Sequence, residues 1–424
     1  MNNAPQCDSS VNRGNQALQS HENFMQQALV LAGRGVGRTS PNPLVGCVLV
    51  HENKIIAEGW HEQYGQPHAE ANAITAALRK YTGSIPADTT LYVTLEPCNH
   101  HGLTPPCTQA IIDASISHVV FAVCDPNPKA AGGGRYLEEA GVKVTSGVLE
   151  AQARFQNRFF LKHQATRQPF VITKTASSLD GKTATRTGHS QWITGTQSRQ
   201  RAHLLRQAVD AIIVGADTVI ADDPSLTVRL PEQLCAASCV RDPLAIILDS
   251  GGRVPLDAKL FNQTSTSRQV LVATTPAMPA AHRELLTAKG IELIVIEKNK
   301  SGAGVDPAEL LNALGERSIQ SVMLEGGAKV HGSFRDAGFI DEIWSFIAPV
   351  VIGGERAPAS FGGIGCDTLE HATVLHHVST ETVGSDLLIR GLTTPVLACG
   401  NASPHAITSC DHWAGSDALH ASTD

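Results

Sequence analysis

Four residues in two short segments of this sequence constrain the fold more than any other feature, because together they make up a metal site. His68 and Glu70 lie in the first segment, and Cys98 and Cys107 lie in the second. A catalytic zinc site takes three protein ligands from Cys and His and leaves a fourth position for water. The carboxylate is not a ligand in such a site, because its role is to carry protons. The fold must therefore bring both segments to one point.

A structural zinc site is the main alternative, because a Cys pair with one His often holds zinc without any chemistry. Structural sites usually have four protein ligands, and the fourth ligand is ambiguous here. Pro67 and Pro106 precede predicted helix starts, where proline is favoured and where the helix N-terminus lowers the pKa of a thiol. Glu70 has no role in a structural site. The pattern therefore favours catalysis, and His-x-Glu followed by Pro-Cys and a second Cys is typical of zinc-dependent nucleobase deaminases.

The spacing of the two cysteines departs from the short Pro-Cys-x-x-Cys form, since eight residues separate Cys98 from Cys107. His100 and His101 lie in this insert. The spacing alone leaves them open as competing metal ligands.

Charge and composition exclude several classes of protein. The net charge is −7 and the sequence has no dense run of Lys or Arg, which argues against nucleic acid and against an anionic membrane as partners. No run of about 18 apolar residues occurs, so no membrane-spanning helix is predicted. The ten cysteines are scattered and no hydrophobic signal core precedes them. We therefore expect reduced thiols and a cytoplasmic protein.

The length of 424 residues predicts two or three domains. We predict a disordered extension over residues 1–20 and a first domain over residues 21–165, which carries the metal site. A second domain is predicted over residues 166–394, followed by a disordered Ser-, His- and Ala-rich tail over residues 395–424. Strands alternate with helices in both halves, so the fold class is α/β, with three layers in the first domain.

One glycine pair in the second half lies where a predicted strand meets a predicted helix. Glu325 is followed there by Gly326 and Gly327. A helix start of this kind can bind phosphate through its N–H groups. Taken alone, the pair is more often a plain turn, and the Gly-x-Gly-x-x-Gly fingerprint of dinucleotide sites does not occur in the sequence.

Taken together, several motifs resemble the bifunctional deaminase-reductase family of riboflavin biosynthesis. In the first half these motifs are Asn42–Gly46, His68–Glu70, Glu96–Gly102, Thr104–Cys107 and Asp125–Pro128. In the second half they are Lys174–Gly181, Ser190–Thr194, Thr218, Ala221–Pro224, Leu226–Arg229, Asp249–Ser250 and Glu325–Gly327. The resemblance covers residues 22–394 and is far more specific than the metal motif alone.

For the first half, the resemblance implies a cytidine-deaminase-like three-layer α/β/α domain with one zinc ion per chain. The implied ligands are His68, Cys98 and Cys107, with Glu70 as the catalytic proton shuttle. The implied substrate contacts are Asn42, His61, His100, Asp125 and Asn127. The resemblance therefore favours His100 as a substrate contact rather than a metal ligand.

For the second half, the resemblance implies a dihydrofolate-reductase-like α/β domain that uses NADPH. The implied cofactor contacts are Ala176, Trp192, Thr218, Asp222, Ser250, Gly327, Ala328, Lys329, Val330, His331, Gly332 and Ser333. The implied substrate contacts are Ser190, Arg206, Leu226, Arg229 and Glu325. Arg206 and Arg229 are suited to a sugar phosphate, since guanidinium groups bind phosphate in a bidentate way. Lys174 and Asp222 are the candidates for the proton donor of the reduction.

Two positions depart from the family pattern. The family usually has Lys or Arg where this chain has Leu103, and it commonly has Arg where Gly133 stands. A phosphorylated substrate needs cationic groups, and both of these positions lack one in this chain. Lys129 and Arg135 are possible substitutes for the missing cations.

The resemblance implies hydrolytic deamination of a phosphoribosylated diaminopyrimidinone, followed by NADPH-dependent reduction of its ribosyl group to ribityl. A nucleic-acid or nucleoside deaminase is a rival reading, which the acidic charge and the second domain oppose. A zinc-stabilised scaffold protein without activity is a second rival, which Glu70 opposes. The sequence leaves a homo-oligomer open and does not distinguish NADPH from NADH by any single residue.

Overall fold

The chain forms two compact units that divide between Asn157 and Arg158. They were characterised in a computed structural model. The residues that it describes are 9–102, 105–231, 240–262, 269–298 and 304–394. Leu103 and the predicted tail over residues 395–424 lie outside these ranges.

A five-stranded mixed sheet forms the centre of the first unit. Its strands are β1 (Gly46–His51), β2 (Lys54–Trp60), β3 (Thr90–Leu95), β4 (His118–Val123) and β5 (Lys143–Ser146). They lie in the order β2-β1-β3-β4-β5, with β1 antiparallel to both of its neighbours and β3, β4 and β5 parallel. The carboxyl ends of β3 and β4 therefore meet at one edge, which is where open α/β sheets place their sites.

Helices cover both faces of this sheet. They are α1 (Ser9–Gly33), α2 (Ala69–Lys80), α3 (Cys107–Asp113), α4 (Gly133–Glu139) and α5 (Glu150–Gln156). Successive strand residues point to opposite faces, so Leu49 joins the apolar cluster under α2, α3 and α4, whereas Val48 joins the cluster under α1 and α5. The predicted three-layer α/β/α architecture is confirmed.

A nine-stranded sheet forms the centre of the second unit. Its strands are β6 (Phe170–Ser178), β7 (Ala211–Gly215), β8 (Leu244–Leu248), β9 (Val270–Thr274), β10 (Glu292–Val295), β11 (Ser321–Gly326), β12 (Glu342–Ala348), β13 (His376–Val383) and β14 (Asp386–Leu392). Their order is β10-β9-β8-β7-β11-β6-β12-β14-β13, parallel from β10 to β12 and antiparallel beyond. Its helices are α6 (Arg158–Thr166), α7 (Thr196–Ala208), α8 (Ala216–Asp222), α9 (Lys259–Asn262), α10 (Ala280–Ala288), α11 (Pro307–Glu316) and α12 (Ala328–Asp336).

Strands β7, β8 and β9 of this second sheet are almost entirely apolar, as expected for parallel strands covered on both faces. The predicted α/β fold of the second half is confirmed. The carboxyl ends of β6, β7, β8 and β11 lie side by side at one edge, and the predicted reductase residues come from the segments that follow them.

The boundary between the units corrects two expectations. The sequence predicts one helix over Glu150–His163, whereas the chain forms α5 and then α6 with Asn157 between them. The Asn157 side chain accepts from the backbone N–H of Leu44 and donates to the carbonyl oxygen of Leu44, at 2.8 and 2.9 Å. Arg158, in contrast, forms a buried ion pair with Glu342 of the second unit. The division therefore falls before the predicted boundary at residue 165.

Helix α1 begins earlier than the sequence predicts. It begins at Ser9, whereas the sequence predicts a helix only from Glu22, and the disordered extension over residues 1–20 stays a prediction. No proline interrupts residues 9–20, so the helix can extend from its apolar segment after Glu22 towards the N-terminus. Residues 1–8 lie outside the described residues.

Candidate active sites

The three predicted zinc ligands converge at the carboxyl end of β3. Cys98 follows this strand, Cys107 is the first residue of α3, and His68 immediately precedes α2. Their ligand atoms all lie within 4.8 Å of one another. His68 Nδ1 is 3.3 Å from Cys107 Sγ and 3.6 Å from Cys98 Sγ. One imidazole and two thiols at these distances fit a zinc ion with an open coordination position.

The surroundings of Cys98 favour its thiolate form, which is the form that a metal binds. A hydrogen bond from the Cys107 thiol, together with His68, lowers the pKa of Cys98 to about 4. Both sulfurs are buried. Among the described residues, the cluster of potential metal ligands contains His68, Cys98 and Cys107 only, so His100 and His101 are not part of it.

Glu70 lies in the first turn of α2, two residues after the imidazole ligand. It is buried, and this burial raises the pKa of its carboxyl to about 7. A carboxyl with a pKa near the working pH is suited to take up a proton and give it back within one reaction cycle. The position and the pKa both fit the predicted role of proton shuttle.

Asn42 and His61 form a fixed pair beside the metal cluster. The Asn42 amide donates to His61 Nε2 at 3.1 Å, and His61 Nδ1 donates to the carbonyl oxygen of Pro67 at 3.1 Å. Burial lowers the pKa of His61, so the ring is neutral. Its centroid lies 5.5 Å from that of His68. The structure therefore brings two of the predicted substrate contacts to the metal cluster.

Glu96 is a residue to which the sequence reading gave no role, and it holds the far side of the first site. Its buried carboxylate accepts from the backbone N–H of Asp125 at 3.0 Å and from that of Gly134 at 2.9 Å. Asp125 in turn accepts from the backbone N–H of Asn127 at 2.8 Å. Burial raises the pKa of Asp125 to about 6. Two sequence signals pointed to Glu96: its position two residues before Cys98 and its place in the motif Glu96–Gly102.

His100 is half-buried in the same loop, and its Nδ1 has no hydrogen-bond partner. An unpaired buried ring nitrogen is costly and is available to a ligand. This observation fits the predicted substrate contact.

The backbone around Gly133, where the family commonly has Arg, is closely packed in this chain. A Cβ atom there would lie 1.8 Å from the carbonyl oxygen of Pro97, so a side chain fits only if this backbone moves. Arg135 is 84% exposed and pairs with Glu139 on the surface of α4. Neither position supplies a cation to the first site, and Leu103 lies outside the described residues.

A buried ion-pair network forms the centre of the second site. The Arg206 guanidinium donates to both carboxylate oxygens of Glu325, with a shortest distance of 2.7 Å, and to the carbonyl oxygen of Thr227 at 2.8 Å. The Lys174 ammonium lies 3.8 Å from Glu325. Burial raises the pKa of Glu325, but the charges of Arg206 and Lys174 outweigh it and lower the pKa below the ordinary value. Arg206 is thus engaged with protein groups in this structure, and its predicted contact with the substrate stays a prediction.

Arg229 remains suited to a phosphate. It is exposed, and its guanidinium donates to the hydroxyls of Ser225 and Thr227 at 2.9 and 3.1 Å. These two bonds fix its direction. Leu226, another predicted substrate contact, is buried between them in the chain.

The predicted cofactor contacts lie along the carboxyl edge of the second sheet. Ala176 belongs to β6, Thr218 and Asp222 to α8, and Ser250 to the loop after β8. The Thr218 hydroxyl lies 3.2 Å from the position that a Cβ of Gly327 would take, so a side chain there would crowd it. Because Gly327 has no side chain, the backbone N–H groups at the start of α12 are uncovered, and such groups can bind a phosphate.

The remaining predicted residues of the second site lie in the loop before α7 and in helix α12. Trp192 is 67% exposed, and the Arg199 guanidinium lies 4.7 Å from its ring centroid. Ser190 lies two residues before it. In α12, Val330, His331 and Gly332 are buried, and a Cβ on Gly332 would meet Gly362 at 2.3 Å. These three residues pack the helix against the unit, whereas Ala328, Lys329 and Ser333 are not buried.

Comparisons with known proteins find relatives of both halves of the chain. Residues 18–123 match the cytidine and deoxycytidylate deaminase zinc-binding region, and residues 169–389 match the RibD C-terminal domain. Riboflavin biosynthesis protein RibD of Bacillus amyloliquefaciens is 42% identical over 372 residues, which cover 88% of this chain and 96% of that protein.

Two solved structures are similar over nearly their whole length. Acinetobacter baumannii RibD is 38% identical, with a TM-score of 0.77 over 88% of this chain and 99% of that one. A Thermotoga maritima protein described as a diaminohydroxyphosphoribosylaminopyrimidine deaminase/5-amino-6-(5-phosphoribosylamino)uracil reductase is 36% identical, with a TM-score of 0.74 and the same coverage.

The fold and the sites define a bifunctional enzyme, in which a zinc-dependent deaminase is joined to a reductase. Its cofactors are zinc and NADPH, and it acts in riboflavin biosynthesis. The chain belongs to the RibD family.

Proposed function

We propose that the first unit deaminates 2,5-diamino-6-(5-phosphoribosylamino)pyrimidin-4(3H)-one to 5-amino-6-(5-phosphoribosylamino)uracil. The second unit then reduces the ribosyl group of that product with NADPH and gives 5-amino-6-(5-phosphoribitylamino)uracil. The observation that carries this proposal is the convergence of His68, Cys98 and Cys107 beside the buried Glu70. The Thermotoga maritima relative is described by the same two activities.

In the first unit, His68, Cys98 and Cys107 would hold the metal, which when bound would supply an acidified water as the nucleophile at neutral pH. Glu70 would take a proton from the attacking water, whose oxygen bonds to the ring carbon that carries the amine. It then returns the proton to the amine nitrogen, the carbon–nitrogen bond breaks and ammonia leaves. The raised pKa of Glu70 suits both transfers.

The pyrimidine ring is held by groups that do not bind the metal. Asn42, fixed by the neutral His61, presents an amide that can pair with the edge of a heterocycle. His100 offers its unpaired ring nitrogen from the opposite loop. Asp125 and Asn127 complete the set of proposed contacts, and Glu96 positions their loop.

In the second unit, the nicotinamide supplies the hydride and the protein supplies orientation and charge. Arg229 binds the sugar phosphate, because its guanidinium is exposed and fixed in direction. The ribosyl ring opens to an imine: the bond between the anomeric carbon and the ring oxygen breaks, that oxygen takes the proton of the exocyclic nitrogen, and the carbon forms a double bond to this nitrogen. The anomeric carbon then receives the hydride and the nitrogen receives a proton, which gives the ribitylamino group. Lys174 and Asp222 are the candidates for that proton. Burial lowers the pKa of the Lys174 ammonium, which makes it a stronger acid.

We also propose a cytoplasmic enzyme whose partner is a small phosphorylated pyrimidine rather than nucleic acid or a membrane. Within the described residues, no helix has the length and apolar character needed to cross a bilayer. A homo-oligomer stays a prediction.

Ammonia release and NADPH oxidation on the diaminopyrimidine substrate test the proposal together, with cytidine as the control substrate and metal analysis of the purified protein. We expect about one zinc per chain, both activities on the phosphoribosyl substrate and none on cytidine. Deamination of cytidine with no activity on the phosphoribosyl compound would favour the nucleoside deaminase. Bound zinc with neither activity would favour a scaffold protein.

A further inference from the structure

Three neighbouring parallel strands of the second unit bring two cations to one carboxylate. Asp217 lies in the first turn of α8, directly after β7. Its carboxylate accepts from the Arg253 guanidinium at 2.7 Å and from the Lys329 ammonium at 3.0 Å. Arg253 follows β8, and Lys329 is the second residue of α12, which follows β11. Because β8, β7 and β11 are adjacent in the sheet, their carboxyl ends place these three side chains together.

The backbone under Arg253 is fixed from the interior. Asp249 is buried, and its two carboxylate oxygens accept from the backbone N–H groups of Arg253 and Val254 at 2.9 and 2.8 Å. Gly252 supplies the left-handed conformation that the turn requires, with φ of 73°. An exposed ion pair contributes little to stability and needs no such support. The buried carboxylate instead sets the direction in which Arg253 leaves the sheet.

The charges of the group do not cancel. Hydrogen bonds from Lys329 and Arg253 lower the pKa of Asp217, so its carboxylate is ionised at neutral pH. Two cations therefore face one anion, and one positive charge remains. The side chains of Arg253 and Lys329 are 58% and 87% exposed. A guanidinium has five donors and an ammonium three, so both can bind an anion while they keep Asp217.

The position along the sheet indicates which anion this is. The buried network of Lys174, Arg206 and Glu325 lies at β6 and β11, and marks the reacting end of the proposed site. Thr218, next to Asp217, faces the bare backbone of Gly327, which suits the pyrophosphate. A dinucleotide that crosses the carboxyl edge from β6 through this point has its adenosine end at β8.

We propose that Arg253 and Lys329 bind the 2′-phosphate of NADPH and thereby select NADPH over NADH, with Asp217 as the positioning residue that holds both cations. This proposal rests on the proposed reductase function. It assigns a role to Arg253, which the sequence resemblance did not include. NADH lacks the phosphate and gains nothing from either cation, so the pair acts on the difference between the two cofactors.

Binding to the full-length zinc-loaded protein tests the proposal without turnover. Isothermal titration with NADPH, NADH, 2′,5′-ADP and 5′-AMP would be compared for the wild type, Arg253→Gln and Lys329→Gln. Each variant loses a charge-assisted contact, so we expect NADPH and 2′,5′-ADP to bind on the order of tenfold more weakly. NADH and 5′-AMP should change by less than about twofold. Arg317→Gln is the matched control, because Arg317 pairs with Glu292 at the opposite edge of the sheet.

The outcomes separate this proposal from the one on which it rests. Equal weakening of NADPH and NADH, or unchanged binding of 2′,5′-ADP in both variants, would overturn the 2′-phosphate assignment and leave the reductase function in place. A wild type that binds neither dinucleotide would overturn the reductase function itself. Thermal unfolding of each variant shows whether it is folded. If Arg253→Gln does not fold, the binding data for Lys329→Gln, which changes an exposed helix position, test the 2′-phosphate assignment.

Discussion

Gly133 is the position at which a single added methyl group should damage the metal site. In Gly133→Ala the new Cβ would start 1.8 Å from the carbonyl oxygen of Pro97, 3.0 Å from its carbonyl carbon and 3.2 Å from a methyl carbon of Thr108. Relief requires a movement of more than an ångström, because real Cβ atoms do not approach below 3.0 Å. Pro97 directly precedes Cys98, so the displaced backbone carries one of the three ligands, and the tight contact with the Thr108 methyl lies next to a second, Cys107.

Overpacking of this kind costs about 1–3 kcal/mol of unfolding free energy. Loss of ligand orientation lowers metal affinity by roughly 10- to 100-fold. We therefore expect Gly133→Ala to lose its zinc at a lower concentration of a competing chelator than the wild type does. We also expect it to release ammonia more slowly than the wild type. NADPH oxidation on the deaminated substrate should be unchanged, because the second unit is not touched. Chelator titration with a zinc indicator, together with both activity assays, measures all three quantities.

The neighbouring glycine provides the control for this experiment. Gly132 has φ of 87° and nothing within 4 Å of an added Cβ, so Gly132→Ala introduces backbone strain without a collision. It should lower the unfolding free energy by about 1–2 kcal/mol and keep its zinc. Equal zinc loss in both variants, or normal affinity in Gly133→Ala, would refute the argument that contact with Pro97 disturbs the ligands.

Three further predictions concern single side chains. Glu70→Gln should retain zinc but release ammonia about 10²- to 10⁴-fold more slowly, since it removes the proton shuttle; full activity with zinc bound would contradict that role. Arg229→Ala should raise the KM for the pyrimidine substrate and leave that for NADPH unchanged, whereas a selective loss of NADPH binding would count against the assignment. Burial raises the pKa of Asp125 to about 6, so the folded state disfavours its ionised form. The free-energy cost of ionising Asp125 in the folded state is absent below its ordinary pKa and grows as the pH rises to 6. Asp125→Asn removes this cost, so it should raise the Tm more at pH 7 than at pH 4. An equal rise in Tm at both pH values would contradict the raised pKa.

The sequence predicts the metal cluster well, because ligand chemistry is local. His68, Cys98 and Cys107 each lie in a short motif, and their residue types alone restrict the metal and its coordination. The resemblance adds the substrate and cofactor classes. The position of Arg206 was less predictable: its residue type suits phosphate, but its engagement with Glu325 depends on a contact between residues far apart in the chain.

The parts that sequence reasoning missed depend on long-range contacts or on weak periodicity. Glu96 binds the loop of Asp125, and Asn157 binds Leu44, which no local pattern encodes. Strand β13 is absent from the prediction because it alternates only partly buried and exposed residues at the edge of its sheet. Helix α11 is also absent, although Asp306 before Pro307 is a helix-start signal and its carboxylate accepts from two N–H groups of the first turn.

The engagement of Arg206 with Glu325 has a kinetic consequence for the second site. An anion that approaches Arg206 competes with a carboxylate that is already tethered at high effective concentration. Recruitment of Arg206 by a phosphate would leave Glu325 paired with Lys174 alone, so part of the binding free energy would be lost. We therefore expect a phosphorylated product that contacts Arg206 to dissociate faster than one held by a guanidinium with no carboxylate partner.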